Sequence, residues 1–165
     1  PAVREKIISL AEAGVKVVVD SRDRIALYRG VILKPNEVEG MRAVYTESSP
    51  AKAGFDDYVN AAGILAGRNG SKVCMTLGPK GCLYADSQSV THIPSYDVMP
   101  PIDICGAGDT FLSAFSCALA AEVEPYEAAS FANLAANVTI KKVGITGTAS
   151  PEEIKGRFEE IHHMP

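Results

Sequence analysis

A chain of 165 residues can bury one real hydrophobic core. Its 47% hydrophobic and 22% charged residues are ordinary for a soluble globular protein, and a net charge of −4 without basic runs argues against an electrostatic nucleic-acid or anionic-membrane binder. The apolar stretches are too short and too interrupted to cross a bilayer. Four cysteines, Cys74, Cys82, Cys105 and Cys117, show no CxxC spacing and no nearby histidine, so they read as reduced, mostly buried thiols of a cytoplasmic protein. The adjacent His162 and His163 read as tail residues. The chain opens on Pro1 with no initiator Met and no visible signal peptide, so an upstream segment is expected.

Taken in order, Val3 to Ala13 places apolar residues at helical spacing, with Gly14 as a stop. Val15 to Asp20 reads as a buried β-branched strand that ends on an aspartate. A short strand, Val31-Ile32-Leu33, leads through Lys34-Pro35 to Asn36, a residue of good N-cap type for the next helix. A helix is predicted over Phe55 to Ala66 and a turn at Asn69-Gly70. Lys72 to Leu77 and Cys82 to Ala85 read as strands joined by the tight turn Gly78-Pro79-Lys80-Gly81, with Val90 to Ile93 as a further short strand. Pro94, Pro100 and Pro101 mark an irregular connection. Gly106-Ala107-Gly108 opens a helix to about Ala121, Pro125 starts another to about Lys142, and Gly144 and Gly147 break the chain. Ser150-Pro151-Glu152-Glu153 caps the last helix. The alternation of helices and strands with a local β-hairpin defines an α/β class, and no linker divides residues 1–165 into separate domains.

The segment richest in chemistry is Asp103-Ile104-Cys105-Gly106-Ala107-Gly108-Asp109-Thr110-Phe111. Glycines on either side of one alanine let the backbone turn sharply and approach a ligand. The helix that follows points free N–H groups and its positive dipole end at that turn, which suits a phosphate or the charge that develops during phosphoryl transfer. A first-turn carboxylate, Asp109, can accept a proton from an attacking hydroxyl. The same pattern also reads as an ordinary helix entry with a dipole partner. Two standard phosphate motifs do not fit. A dinucleotide fingerprint needs glycine where Phe111 stands, and a Walker-type Gly-Lys-Ser/Thr is missing. A dehydrogenase is further disfavoured because Asp109 would repel a pyrophosphate on that helix.

Asp103 through Asp109 resembles the Asp-Thr-x-Gly-Ala-Gly-Asp signature of ribokinase-like (PfkB-type) sugar kinases, with Ile104 in place of the usual Thr. Three more segments agree in order: Lys34-Pro35-Asn36-Glu37-Val38-Glu39, Thr76-Leu77-Gly78-Pro79-Lys80-Gly81, and Phe131-Ala132-Asn133 to Gly144. The resemblance implies a three-layer α/β/α fold, of which this chain is the C-terminal, ATP-binding and catalytic portion. It implies that Asp109 is the general base and that the amides of Gly106, Ala107 and Gly108 form the anion hole. Asn36 and Glu39 would organise Mg2+ and water around ATP. Thr76, Gly78 and Gly81 would line the phosphate and ribose region, with Asn133 near adenine. Asp103 and Thr148 would belong to a K+ site. Taken singly, Asn36 also reads as a cap, Glu39 as a surface helix residue, and Gly78 and Gly81 as hairpin glycines.

The family's full chain is about twice as long. Its N-terminal part, with a glycine pair, a sugar-contacting aspartate and a β-sheet lid, is not recognisable here. The expectation is therefore an incomplete enzyme that is weak or inactive alone. A severed sheet edge would drive it to a homodimer or to a complementing N-terminal half. The acceptor would be a sugar or sugar phosphate. Tyr28-Arg29-Gly30, leading into Val31, is similar to the heptose-phosphate kinase branch. A non-catalytic nucleotide-binding or interaction module is the alternative.

Overall fold

The computed structural model describes residues 1–45 and 53–162. Six helices and five strands alternate as expected for an α/β protein: α1 (Ala2–Glu12), β1 (Val18–Val19), β2 (Ile32–Leu33), α2 (Glu37–Val44), α3 (Phe55–Asn69), β3 (Lys72–Thr76), β4 (Cys82–Ala85), β5 (Val90–Ile93), α4 (Ala107–Ala120), α5 (Pro125–Ile140) and α6 (Pro151–His162). The sheet order is β1-β2-β3-β4-β5. β1, β2 and β3 run parallel, and β3 and β4 form the antiparallel hairpin read from the sequence, with Thr76 opposite Cys82.

The predicted strand over residues 15–20 shrinks to Val18–Val19. Its partner sets that limit, because β2 lies between Gly30, which turns with a φ of 67°, and Pro35, which has no N–H. Only two amides, those of Ile32 and Lys34, are placed to donate to Val17 and Val19 carbonyls. Val15 is left half exposed. In contrast, α3 runs beyond its predicted end to Asn69, and Gly70 stops it in the left-handed conformation. The Asn69 side chain also donates to the carbonyls of Ala26 and Tyr28. α5 ends at Ile140 rather than Lys142, and the amides of Lys141 and Lys142 tighten the last turn by donating to Val138 and Thr139.

The chain packs as two units, Pro1–Gly78 with Cys82–His92, and Pro79–Gly81 with Ile93–Pro165. In the first, Leu33, Ala61, Ala62, Leu65, Val73, Met75 and Leu83 form a continuous core around the sheet. In the second, α4 and α5 pack on each other. Ala128, Ala129, Ala132 and Ala135 let the helix backbones approach, and Phe111 and Phe115 fill the interior with ring centroids 5.9 Å apart. Two cysteines, Cys74 and Cys82, are buried as predicted, but Cys105 and Cys117 are exposed. The hydrogen bond with Cys82, together with burial, holds the Cys74 thiol well above its ordinary pKa, so it behaves as an inert core group. His162 sits in the last turn of α6 with its ring 4.1 Å from Phe158. His163 lies outside the described residues. Among the described residues, no helix is long and apolar enough to cross a membrane.

Candidate active site

In the first unit, the chain leaves β2 through Lys34-Pro35 and enters α2 at Asn36. Asn36 Oδ1 accepts from the Glu39 amide at 2.8 Å, and Glu39 Oε2 accepts from the Asn36 amide at 2.9 Å. The pair is thus a reciprocal capping box. Thr76, at the end of β3, bridges to Asn36, and its amide donates to Pro35 O at 3.0 Å. The structure therefore gathers Asn36, Glu39 and Thr76 at the C-terminal ends of parallel strands, where α/β sheets place their ligands. The cap reading of Asn36 is correct, and it does not exhaust the pair. Among the described residues, Asn36 Nδ2 and the second Glu39 carboxylate oxygen have no hydrogen-bond partner. Among the described residues, no group of three acidic, His or Cys side chains could hold a metal directly. One free carboxylate oxygen and one amide suit contact with Mg2+ through water, because that ion keeps much of its hydration.

Sequence reasoning missed a neighbour of this corner. Lys34, only 3% exposed, places its ammonium 2.6 Å from Asp20 at the end of β1. The parallel register Val18–Ile32 and Val19–Leu33 carries Asp20 and Lys34 to the same height, a pairing that only the folded sheet reveals.

In the second unit, Gly106 caps α4 in the left-handed conformation, with φ 79°. A Cβ there would stand 3.1 Å from Thr146 Cγ2 as well. Thr110 N donates back to Gly106 O at 2.9 Å, and Ala107 N donates to Ile104 O at 3.2 Å. Of the three amides expected to serve an anion, Ala107 is thus already engaged. Among the described residues, the amides of Gly106 and Gly108, joined by that of Asp109, have no hydrogen-bond partner. The Asp109 carboxylate lies exposed in the same first turn.

Asp103 fastens the turn. Its Oδ1 accepts from Cys105 N at 3.0 Å, its Oδ2 from Gly144 N at 3.0 Å, and its own amide donates to Ile140 O at 2.8 Å. The two amides, Cys105 first, hold its carboxyl below the usual carboxylate range. The hydroxyls of Thr110 and Thr139 meet at 3.0 Å between α4 and α5. Thr148 is exposed, and its carbonyl accepts from Lys142 Nζ at 2.5 Å.

The nucleotide-segment residues divide between the units. Gly78, with φ 57°, leaves the first unit exposed and uncrowded. Gly81, with φ 87°, packs in the second, where a Cβ would overlap the Ile93 carbonyl and lie 2.6 Å from Ser95 N. Gly81 is thus required by close backbone approach. Asn133 is 5% exposed and directs its Nδ2 at the Ile93 and Pro94 carbonyls, so it braces the exit from β5. Four residues further along α5, about one helical turn, Asn137 donates to Ser95 Oγ at 3.1 Å.

The fold places the chain among the ribokinase-like α/β proteins. It superposes on phosphofructokinase-2 from Escherichia coli, solved with substrates and products, with a TM-score of 0.78 at 21% identity, covering 98% of this chain and 52% of that one. On ribokinase from Arabidopsis thaliana, complexed with ribose and ATP, the TM-score is 0.77 at 23% identity, over 94% of this chain and 53% of that one. Residues 5–153 match the pfkB family carbohydrate kinase model, and the chain belongs to that family. Similar curated relatives are the bifunctional protein HldE of Geotalea uraniireducens, 34% identical over 98% of this chain and 33% of its own, and that of Shewanella baltica, 35% identical over 94% and 32%. The chain thus spans about a third of the length of these relatives and about half of the solved kinases.

Proposed function

We propose that this chain is the nucleotide-binding, catalytic portion of an ATP-dependent kinase that phosphorylates a hydroxyl of a sugar or sugar phosphate. The observation that carries the reading is the turn at Gly106, where amides with no partner among the described residues and the Asp109 carboxylate share one helix entry. Asp109 removes the proton as the hydroxyl oxygen attacks the γ-phosphorus of ATP, whose bond to the β,γ-bridging oxygen breaks so that ADP leaves. The amides of Gly106 and Gly108, with that of Asp109, receive charge on the transferred group. Ala107 serves by shaping the turn. Asn36 and Glu39, held rigid by their mutual bonds, orient water around Mg2+, which when bound with ATP offsets phosphate charge. Thr76 and Gly78 leave room for the phosphates. Gly81 and Asn133 act by holding the chain that borders the nucleotide.

The sugar-binding portion is supplied by a further segment or chain, or its place at the sheet edge is taken by a second copy. β1 ends the strand order, and Val3, Leu10 and Val15 in the segment that leads to it are exposed. The Tyr28-Arg29-Gly30 likeness puts a heptose phosphate first among acceptors to try, and a cytoplasmic setting suits ATP and sugar phosphates. The test is sugar-dependent ADP release, measured on the chain alone and on the protein with its upstream segment. Release that needs the upstream segment and a sugar supports the reading. Nucleotide binding without release in either form would point instead to a non-catalytic binding module.

A further inference from the structure

The loop after α5 holds a cation of its own. Lys142 follows the last turn of the helix, and its amide donates to Thr139 O at 3.0 Å. Its side chain then runs beneath residues 143–148. Gly147 is buried against that stem, and a Cβ there would stand 3.0 Å from Lys142 Cδ and 3.1 Å from Thr139 O. The ammonium reaches Thr148 O at 2.5 Å and both Glu153 carboxylate oxygens, at 2.7 and 2.9 Å. Glu153 in turn closes a capping box with Ser150 at the start of α6. One ammonium therefore joins the loop carbonyl, the helix that follows and the helix that precedes.

The same loop borders the turn at Gly106. Gly144 N donates to Asp103, and Thr146 lies against Gly106 and 3.7 Å from Cys105 Sγ. The oxygens that a monovalent ion would need at Asp103 and Thr148 already have donors. Asp103 Oδ1 and Oδ2 accept amides, and Thr148 O accepts Lys142. An ammonium and a potassium ion are similar in size and draw on the same oxygen lone pairs, but the tethered one loses no translational freedom when the loop closes.

We propose that Lys142 is the resident cation of the 143–148 loop, so that the turn at Gly106 is arranged without a soluble monovalent ion. Lys142 is a positioning residue, and calling that turn catalytic rests on the function proposed above. The melt described next reads the loop whether or not the chain transfers phosphoryl groups, whereas ADP release tests that function separately.

Thermal melting of the chain is followed in NaCl, KCl and tetramethylammonium chloride at equal ionic strength. The wild-type Tm is expected to be the same in all three. Lys142→Met should lower Tm by about 2–6 °C in tetramethylammonium, and KCl should restore part of that loss. Lys142→Arg should keep the salt-independence. A wild-type Tm raised selectively by KCl would overturn the proposal, as would a Lys142→Met Tm equal to wild type or one lowered equally in every salt. Should Lys142→Met not fold, the wild-type and Lys142→Arg salt series decide: selective stabilisation of either by KCl rejects the resident-cation role, and its lack in both upholds it.

Discussion

The Asn36–Thr76 corner and the Asp103–Asp109 turn carry polar groups to helix entries by different means. The corner is built from two side chains that each accept from the other residue's backbone amide three positions away, and its order is complete within one short segment plus a strand neighbour. The turn is built from backbone, and the Asp103 carboxylate fastens it by accepting from the Cys105 amide and from the Gly144 amide 41 residues downstream. The corner therefore keeps its polar atoms mostly satisfied, whereas the turn leaves amides open beside Asp109. Satisfied groups contribute to stability, and open ones are available to a ligand. Substitutions in the two regions should separate along that line.

The largest effect is expected at the open turn. Asp109→Asn, in the protein with its upstream segment, should lower turnover about 10²–10⁴-fold. Its Tm should change little, because the carboxylate is exposed. Unchanged turnover in a steady-state ADP assay would remove the base assignment. Next comes Gly81→Ala, which places a methyl against the Ile93 carbonyl at a φ of 87°. It should cost about 2–5 kcal/mol in urea unfolding. Gly40→Ala provides the contrast, since its methyl would meet only the flexible end of Met75, at a cost of about 1 kcal/mol. Equal losses at the two glycines would show that the Gly81 turn adapts.

Smaller still is Asn36→Ala, which removes one half of the capping box. Stability should fall by about 1 kcal/mol, and metal-dependent nucleotide binding should weaken as well. A stability loss with unaltered binding would leave Asn36 as a cap alone. The gentlest perturbation is pH. Amides of Cys105 and Gly144 lower the Asp103 pKa, and Lys142 with the Ser150 amide lowers that of Glu153. Both folded-state values lie below the unfolded ones. Their stabilisation is therefore full above the ordinary carboxylate range and is lost as pH falls through the depressed folded values, from about pH 4.5 downward. Asp103→Asn and Glu153→Gln should each flatten that acid limb in a pH series of Tm.

Much of the fold was legible in the sequence because its signals are local. Asn36 and Ser150 each precede an acidic residue by three positions, and both capping boxes are present. Pro125 marks a helix start where propensity puts it, whereas Gly70, read as part of a turn, is the C-cap of an α3 that runs three residues past its predicted end. The short β1 was not legible, because a partner strand sets its length through Gly30 and Pro35. The site was legible as a motif, but the state of its amides was not. Whether Ala107 N is free depends on the Ile104 carbonyl, which only the folded turn brings within reach. The roles of Lys34 and Lys142 depend on register and loop path, so each looked like an ordinary lysine in the chain.

The reciprocal bonds of Asn36 and Glu39 have a consequence for ligand affinity. Two side chains that would otherwise be immobilised by the incoming metal and nucleotide are already confined to one rotamer each, which spares about 0.5–1.5 kcal/mol apiece at the moment of association. A ligand arriving at this corner meets a surface set during folding, and calorimetry should register the difference as a smaller entropic penalty than Asn36→Ala would show.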